Sequence, residues 1–270
     1  MHWIEALLLG LLQGLTEFLP VSSSGHLTVA QELFHLDTSA ADNLLFDVMV
    51  HTATVCSTLV ILRREIAGLF IGSFANRVWN EEKSYLLKLV LSMIPVFIVG
   101  FFFKDTVEAL FGSGLLLVGG CLILTAALLA FAYYAKQKEK KNISYGGAFI
   151  IGLSQALAVL PGLSRSGTTI STGILLGYKK EEVAKFSFLM VLVPILGEAL
   201  LRIVDMIKDP TAVGSSIGFM PLAIAFVSAF VSGCFACKFM IDLVRRGKLI
   251  YFAAYCVVAG IAVVLYSLCK

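Results

Sequence analysis

Ser22, Ser23, Ser24 and His26 form one short polar stretch in a largely apolar chain, and Ser164, Arg165, Ser166, Thr168 and Thr169 form another. Hydroxyls gathered with a guanidinium, and with amides freed by Gly25 and Gly167 at helix starts, make an oxyanion site. Phosphate is its obvious occupant. Upstream of the first stretch, Gln13 and Glu17 stand four residues apart, on one face of a helix. Glu17 adds a carboxylate that can act as a base or as a metal ligand. Any one of these hydroxyls, alone in an apolar helix, would be read as bonding its own backbone. Two matched clusters argue for a site.

The match is a repeat. Residues 10–26 read GLLQGLTEFLPVSSSGH and residues 152–168 read GLSQALAVLPGLSRSGT. The same step of 142 positions carries Ala6, Gly10, Gln13, Ser22, Ser24 and Gly25 onto Ala148, Gly152, Gln155, Ser164, Ser166 and Gly167. Only the Leu-Pro pair slips, by one place: Leu19-Pro20 against Leu160-Pro161. Each copy is an apolar helix that breaks at proline into a hydroxyl-rich turn. Paired breaks in hydrophobic segments point to a site buried at the middle of a membrane.

Composition agrees. Hydrophobic residues make up 59% and charged residues 14% of 270 positions, against about 25% charged in soluble domains. The chain reads as an all-α polytopic membrane protein, a single integral domain over 1–270. A net charge of +3 gives no reason to expect nucleic acid, and membrane lipids are the expected surroundings. Met1-His2-Trp3-Ile4-Glu5 lacks a basic n-region, so no cleavable signal peptide is expected. Six segments suffice to span, roughly 44–62, 85–103, 114–135, 186–205, 217–241 and 249–269. The motif regions 3–34 and 146–178 have arms too short to span and read as re-entrant hairpins.

Lys and Arg after the first and third spans, after the second hairpin and before the last span all fall on one side if both hairpins return to the side they enter from. Loops 63–84, 136–145 and 242–248 are then cytoplasmic and both termini outside. Repeat one (about 1–135) and repeat two (about 143–270) acquire opposite orientations, and the broken tips meet near the midplane. Arg165 at that depth costs about 2.5–3.5 kcal/mol on insertion scales. It therefore calls for an anion, and Glu17 is the nearest candidate within the motifs.

Other polar groups carry weaker signals. Asp47 and His51, at i and i+4 on the first span, form either a second layer behind the site or a pair of their own. Glu198 and Arg202 read as a self-satisfied ion pair, and Lys136, Lys138, Lys140 and Lys141 as a topological anchor. Cys234-x-x-Cys237, flanked by Phe, Ala and Val, reads as packing.

The segment Gln13-Gly14-Leu15-Thr16-Glu17 fits an (E/Q)-x-x-x-E motif and runs into Phe18-Leu19-Pro20-Val21-Ser22-Ser23-Ser24-Gly25-His26; Pro161 to Thr169 fits PGxSRSxxT. With these two motifs the chain resembles, end to end, the bacterial undecaprenyl-diphosphate phosphatase family, also called the bacitracin-resistance protein family. The resemblance implies hydrolysis of undecaprenyl diphosphate to undecaprenyl phosphate, recycling the lipid carrier of cell-wall precursors. It also implies dependence on a divalent cation (Mg²⁺ or Ca²⁺) and a site opening outward from the bacterial cytoplasmic membrane. Gln13 stands where many relatives carry Glu, so Glu17 is the only carboxylate in either motif and the one tentative metal ligand.

On this reading Arg165 and the hydroxyl-lined turns (Ser22, Ser24, Gly25, Ser164, Ser166, Gly167, Thr168 and Thr169, with Gln13) bind phosphate. Ser23, ahead of His26, attacks phosphorus with Glu17 as base, and an activated water is a third route. The rival from another class is a transporter or flippase for an anionic or lipid-phosphate substrate. A carrier needs only binding groups, whereas Glu17, Ser23 and His26 beside Arg165 add base and nucleophile. The sequence leaves monomer and homodimer both open.

Overall fold

Two prolines and two serines set the shape of the site-bearing regions. In the computed structural model, which describes residues 1–34, 40–75, 78–111, 114–136, 140–197, 200 and 217–269, α1 (Trp3–Phe18) ends where Pro20 forces Leu19 into extended backbone. α2 (Ser23–Leu33) restarts on Ser22, whose side chain accepts from the Gly25 amide. The second motif repeats this: α8 (Tyr145–Leu157), a break through Pro161, then α9 (Arg165–Leu175) capped by Ser164 through the Gly167 amide.

The remaining helices are α3 (Ala40–Ile61), α4 (Arg63–Ala75), α5 (Glu81–Phe102), α6 (Lys104–Phe111), α7 (Leu115–Tyr134), α10 (Lys180–Met190), α11 (Phe219–Arg245) and α12 (Leu249–Cys269). Four of them, α5, α7, α11 and α12, are long and apolar enough to cross a membrane. α3 and α4 together make a broken apolar segment bent by 72°. The span expected at 186–205 is not one continuous helix. It begins inside α10 and turns at Val191, because Pro194 has no amide to offer the Met190 carbonyl. Helix resumes over 192–197, and the rest of that expected span, apart from residue 200, lies outside the described residues.

The hairpins lock onto long helices from the other part of the chain. α1 packs along α11, and α8 packs along α5. Gly10 and Gly14 place the α1 backbone directly against Ser228 and Ser232 of α11, where a β-carbon would collide with either hydroxyl. Gly152 does the same on α8 against the Ser92 carbonyl of α5. Small residues four apart are how membrane helices approach this closely. α7 and α12 pack on each other, Gly119 against Gly260.

The ends of the second hairpin are tied together. Lys140 donates its amide to Gly177 O (3.0 Å), Lys179 donates to Lys140 O (3.1 Å), and the Ser144 hydroxyl that caps α8 lies 2.7 Å from the Tyr178 hydroxyl. The chain therefore enters and leaves this hairpin at one place.

Candidate active site

The two tips touch. Ser166 Oγ donates to Leu19 O (3.2 Å), and a β-carbon on Gly25 would lie 3.0 Å from Gly162 Cα. α12 holds the first tip, through Cys256 Sγ at 3.6 Å from Pro20 O and Tyr255 beside His26. α7 holds the second, where Thr125 Oγ1 accepts from the Ser164 amide at 3.0 Å.

Between the tips lies a cavity lined by Thr16, Glu17, Ser22, Ser23, Ser24, His51, Ala158, Leu163, Ser164, Arg165 and Ser166. Its wall thus includes the cap and the first two residues of α2 and the same three positions of α9. Amides of a first helical turn have no intrahelical acceptor and carry the positive end of the helix dipole. The capping oxygens are spent on the third amides, Gly25 and Gly167, so those of Ser23, Ser24, Arg165 and Ser166 remain for an anion. Two helix ends and a guanidinium aimed at one space are a strong oxyanion environment.

Glu17 is the organising group. One of its oxygens, Oε2, accepts from Gln13 Nε2 (2.8 Å) and from Ser23 Oγ (2.6 Å), and lies 3.6 Å from His51 Nε2. The 2.6 Å distance is that of a charge-assisted O–H···O⁻ bond, so the Ser23 hydroxyl proton already points at a base. Arg165 lines the same cavity but is not within ion-pair distance of Glu17. The expected Arg165–Glu17 pair is replaced by a Glu17–His51 contact, because α3 brings His51 to the carboxylate while Arg165 projects from the first position of α9. Among the described residues no acidic group pairs with Arg165.

The structure separates the other expected site residues. Gln13 is fully buried behind Glu17. Thr169 Oγ1 turns to Arg165 O (2.9 Å) and the Ser187 hydroxyl (2.5 Å), bracing the start of α9. Thr168 is buried with its hydroxyl unpartnered. His26 does not line the cavity. Its Nδ1–H donates to Ser22 O (2.8 Å), its Nε2 accepts from the Tyr255 hydroxyl (2.7 Å), and the two rings stack.

His51 lines it instead. Of the two arrangements open to Asp47 and His51, the side chains do not pair with each other: His51 Nδ1–H donates to Asp47 O (2.7 Å), while Asp47 Oδ1 accepts from Gln31 Nε2 (3.4 Å). Thr16 also lines the cavity unforeseen, although it sits beside Glu17 in the motif. Glu198, Arg202 and Lys138 lie outside the described residues. Lys140 donates to Leu176 O (3.3 Å) at the base of the second hairpin. Cys234 and Cys237 sit on α11 as free thiols.

A second, more apolar cavity meets the first at Glu17, Arg165 and Ser166 and runs between Phe18, Val55, Phe188, Val191 and Ile195. The hydroxyls of Thr54 and Thr58 in its wall are bonded to backbone carbonyls of their own helix. A polar space thus opens onto an apolar one.

Residues 6–262 match the family model described as bacitracin resistance protein BacA. The chain is 58% identical over 268 residues to the undecaprenyl-diphosphatase of Bacteroides thetaiotaomicron, covering 99% of this chain and all of that one. It is 57% identical over 270 residues to that of Parabacteroides distasonis, covering both chains entirely. A more distant relative of the same name, from Oceanobacillus iheyensis, is 36% identical over 97% of this chain and 96% of its own.

Proposed function

The chain belongs to the bacitracin resistance protein family, and from that membership and the paired helix ends we propose that it hydrolyses undecaprenyl diphosphate to undecaprenyl phosphate and inorganic phosphate. It is a multi-pass protein of a bacterial membrane. The observation that carries the mechanism is the 2.6 Å bond from Ser23 Oγ to Glu17, in a cavity shared with Arg165 and two helix N-termini.

The terminal phosphoryl group lies against the amides of Ser23, Ser24, Arg165 and Ser166, with the Arg165 guanidinium on its oxygens. Ser23 Oγ attacks phosphorus and its proton passes to Glu17 Oε2. The bond from the terminal phosphorus to the bridging oxygen breaks, and undecaprenyl phosphate leaves with the electron pair. Water then attacks the phosphoserine. The Ser23 Oγ–phosphorus bond breaks, Glu17 returns its proton to Ser23, and inorganic phosphate departs. Ser23 is favoured over His26 because both His26 ring nitrogens are engaged elsewhere.

Among the described residues no three His, Cys, Asp or Glu side chains cluster as a protein metal cage. A divalent cation would be held by Glu17 and by Gln13, whose Oε1 is buried and unpartnered. When bound it supplies charge neutralisation on the phosphates.

The decisive measurement is phosphate release in detergent by Ser23→Ala and His26→Ala with one lipid diphosphate at saturating cation. Ser23→Ala is expected to be inactive. His26→Ala is expected to retain turnover, at most about 10²–10⁴-fold slowed if it also assists proton transfer. Activity in Ser23→Ala with none in His26→Ala reverses the assignment, and wild-type protein that releases no phosphate would favour the carrier reading.

The Lys/Arg distribution supports two inverted halves with both termini outside, and the family resemblance implies a site opening outward. Impermeant thiol reagents applied from outside are expected to label Ala40→Cys but not Lys138→Cys; the opposite pattern overturns that orientation.

A further inference from the structure

We infer that His51 is a positioning residue for the reaction, holding the Glu17 carboxylate in line with Ser23. The inference rests on the reading of Ser23 and Glu17 given above. His51 belongs to neither motif. It reaches the cavity from α3, an element outside both hairpins.

Three observations carry it. A backbone carbonyl can only accept, so the 2.7 Å contact to Asp47 O puts a hydrogen on His51 Nδ1 and turns Nε2 toward Glu17, where it holds the carboxylate as the imidazolium, with a second hydrogen on Nε2. His51 Nε2 lies 3.6 Å from Glu17 Oε2, the oxygen that also receives the Ser23 hydroxyl and the Gln13 amide. Finally, His51 and Glu17 are both largely shielded, with side-chain exposures of 17% and 10%, so water does not compete freely for the carboxylate.

Gln13 and His51 thus hold one oxygen from two helices. Gln13 lies one turn before Glu17 on α1 and fixes it along the helix axis; His51 approaches from α3. Without His51 the carboxylate keeps its bond to Gln13 but can swing away from Ser23. α3 is itself anchored where this matters: Ser57 Oγ donates to Phe230 O of α11 (2.9 Å), and Gln31 on α2 reaches Asp47. The histidine is therefore held at a distance set by three helices.

The test compares His51→Leu with His51→Gln in the full-length protein, using polyprenyl diphosphate in detergent and measuring kcat and KM separately. The Gln amide places a donor near the position of Nε2; Leu fills similar space without one. His51→Leu is expected to lose about a hundredfold in kcat, the order expected when a reacting group is misplaced by about an ångström, with a smaller change in KM. His51→Gln is expected to recover most of that loss.

Unchanged kcat in His51→Leu overturns the inference. So does a His51→Gln variant as slow as His51→Leu with wild-type thermal stability, which would assign His51 to moving a proton. Ser23→Ala is measured alongside. Turnover by that variant overturns the nucleophile assignment itself, whereas an inactive Ser23→Ala beside an active His51→Leu overturns the role of His51 alone.

Discussion

The two broken tips are built to one plan and differ by one residue of loop. In both, a serine caps the following helix through the third amide (3.3 Å for Ser22, 3.1 Å for Ser164), and in both the capping hydroxyl sits 3.4 Å from the hydroxyl two residues on. One residue separates Pro20 from Ser22; two separate Pro161 from Ser164. The longer loop puts its left-handed residue on Gly162 (φ 89°) and leaves Ser164 relaxed (φ −67°). The shorter loop has no glycine to take that role, and Ser22 itself adopts φ 69°. A non-glycine residue in that region is strained by about 1–3 kcal/mol.

That strain lies immediately before Ser23. A one-residue difference in loop length thus goes with a different group at the start of the next helix: the relaxed tip presents a fixed cation, Arg165, and the strained tip presents the Ser23 hydroxyl. Val159 stands where the first tip has Glu17, and Thr168 where it has His26. The second tip therefore has an oxyanion cradle without a base.

The largest effect that can break this division is at Glu17. Glu17→Gln keeps the shape and removes the base, and kcat is expected to fall by roughly 10²–10⁴-fold. Near-normal phosphate release would mean that the first tip is not the reactive one. Next is Arg165→Lys, which keeps a charge but loses the planar two-pronged contact to phosphate. A loss of roughly 10²–10³ in kcat is expected, and normal turnover in a folded Arg165→Lys protein would make the arginine structural.

Stability distinguishes the loops. Gly162→Ala forces a β-carbon to within 2.5 Å of Val118 O at positive φ, and is expected to cost about 1–3 kcal/mol. Ser22→Gly relieves backbone strain and costs only a few tenths of a kcal/mol as a cap, so its melting temperature is expected to stay near wild type. Equal melting temperatures for the two variants would show that the loop difference does not place the strain. The smallest effect is at Tyr255→Phe, which removes the donor to His26 Nε2. A stability loss of about 0.5–1.5 kcal/mol is expected, with little change in kcat, since His26 lies outside the cavity.

Much of the local structure was legible in the residues. Pro20 and Pro161 end helices because the preceding residue is pushed to extended backbone. Ser22-x-x-Gly25 and Ser164-x-x-Gly167 restart them because a serine oxygen suits the third amide of a helix. Long apolar runs at 85–103, 114–135, 217–241 and 249–269 become helices, since hydrocarbon leaves no other way to satisfy the backbone. The helix expected across 186–205 is interrupted just before Pro194, a breaker inside an apolar window whose average hides it.

Which histidine meets Glu17 was settled only in three dimensions. Ser23 and His26 are three residues apart on α2, close enough along a helix to suggest a shared face. Ser23, however, is the first helical residue and reaches the cavity from the helix end, while His26 lies on the flank that packs against Tyr255 of α12. His51 arrives from an element with no motif, through the packing of α3 on α1 and α11. Sequence by itself determined which residues could do the chemistry, because caps, breaks and apolar length are local properties of the chain. The partner of each was decided by tertiary structure alone, because the direction a helix face looks depends on the helices packed around it.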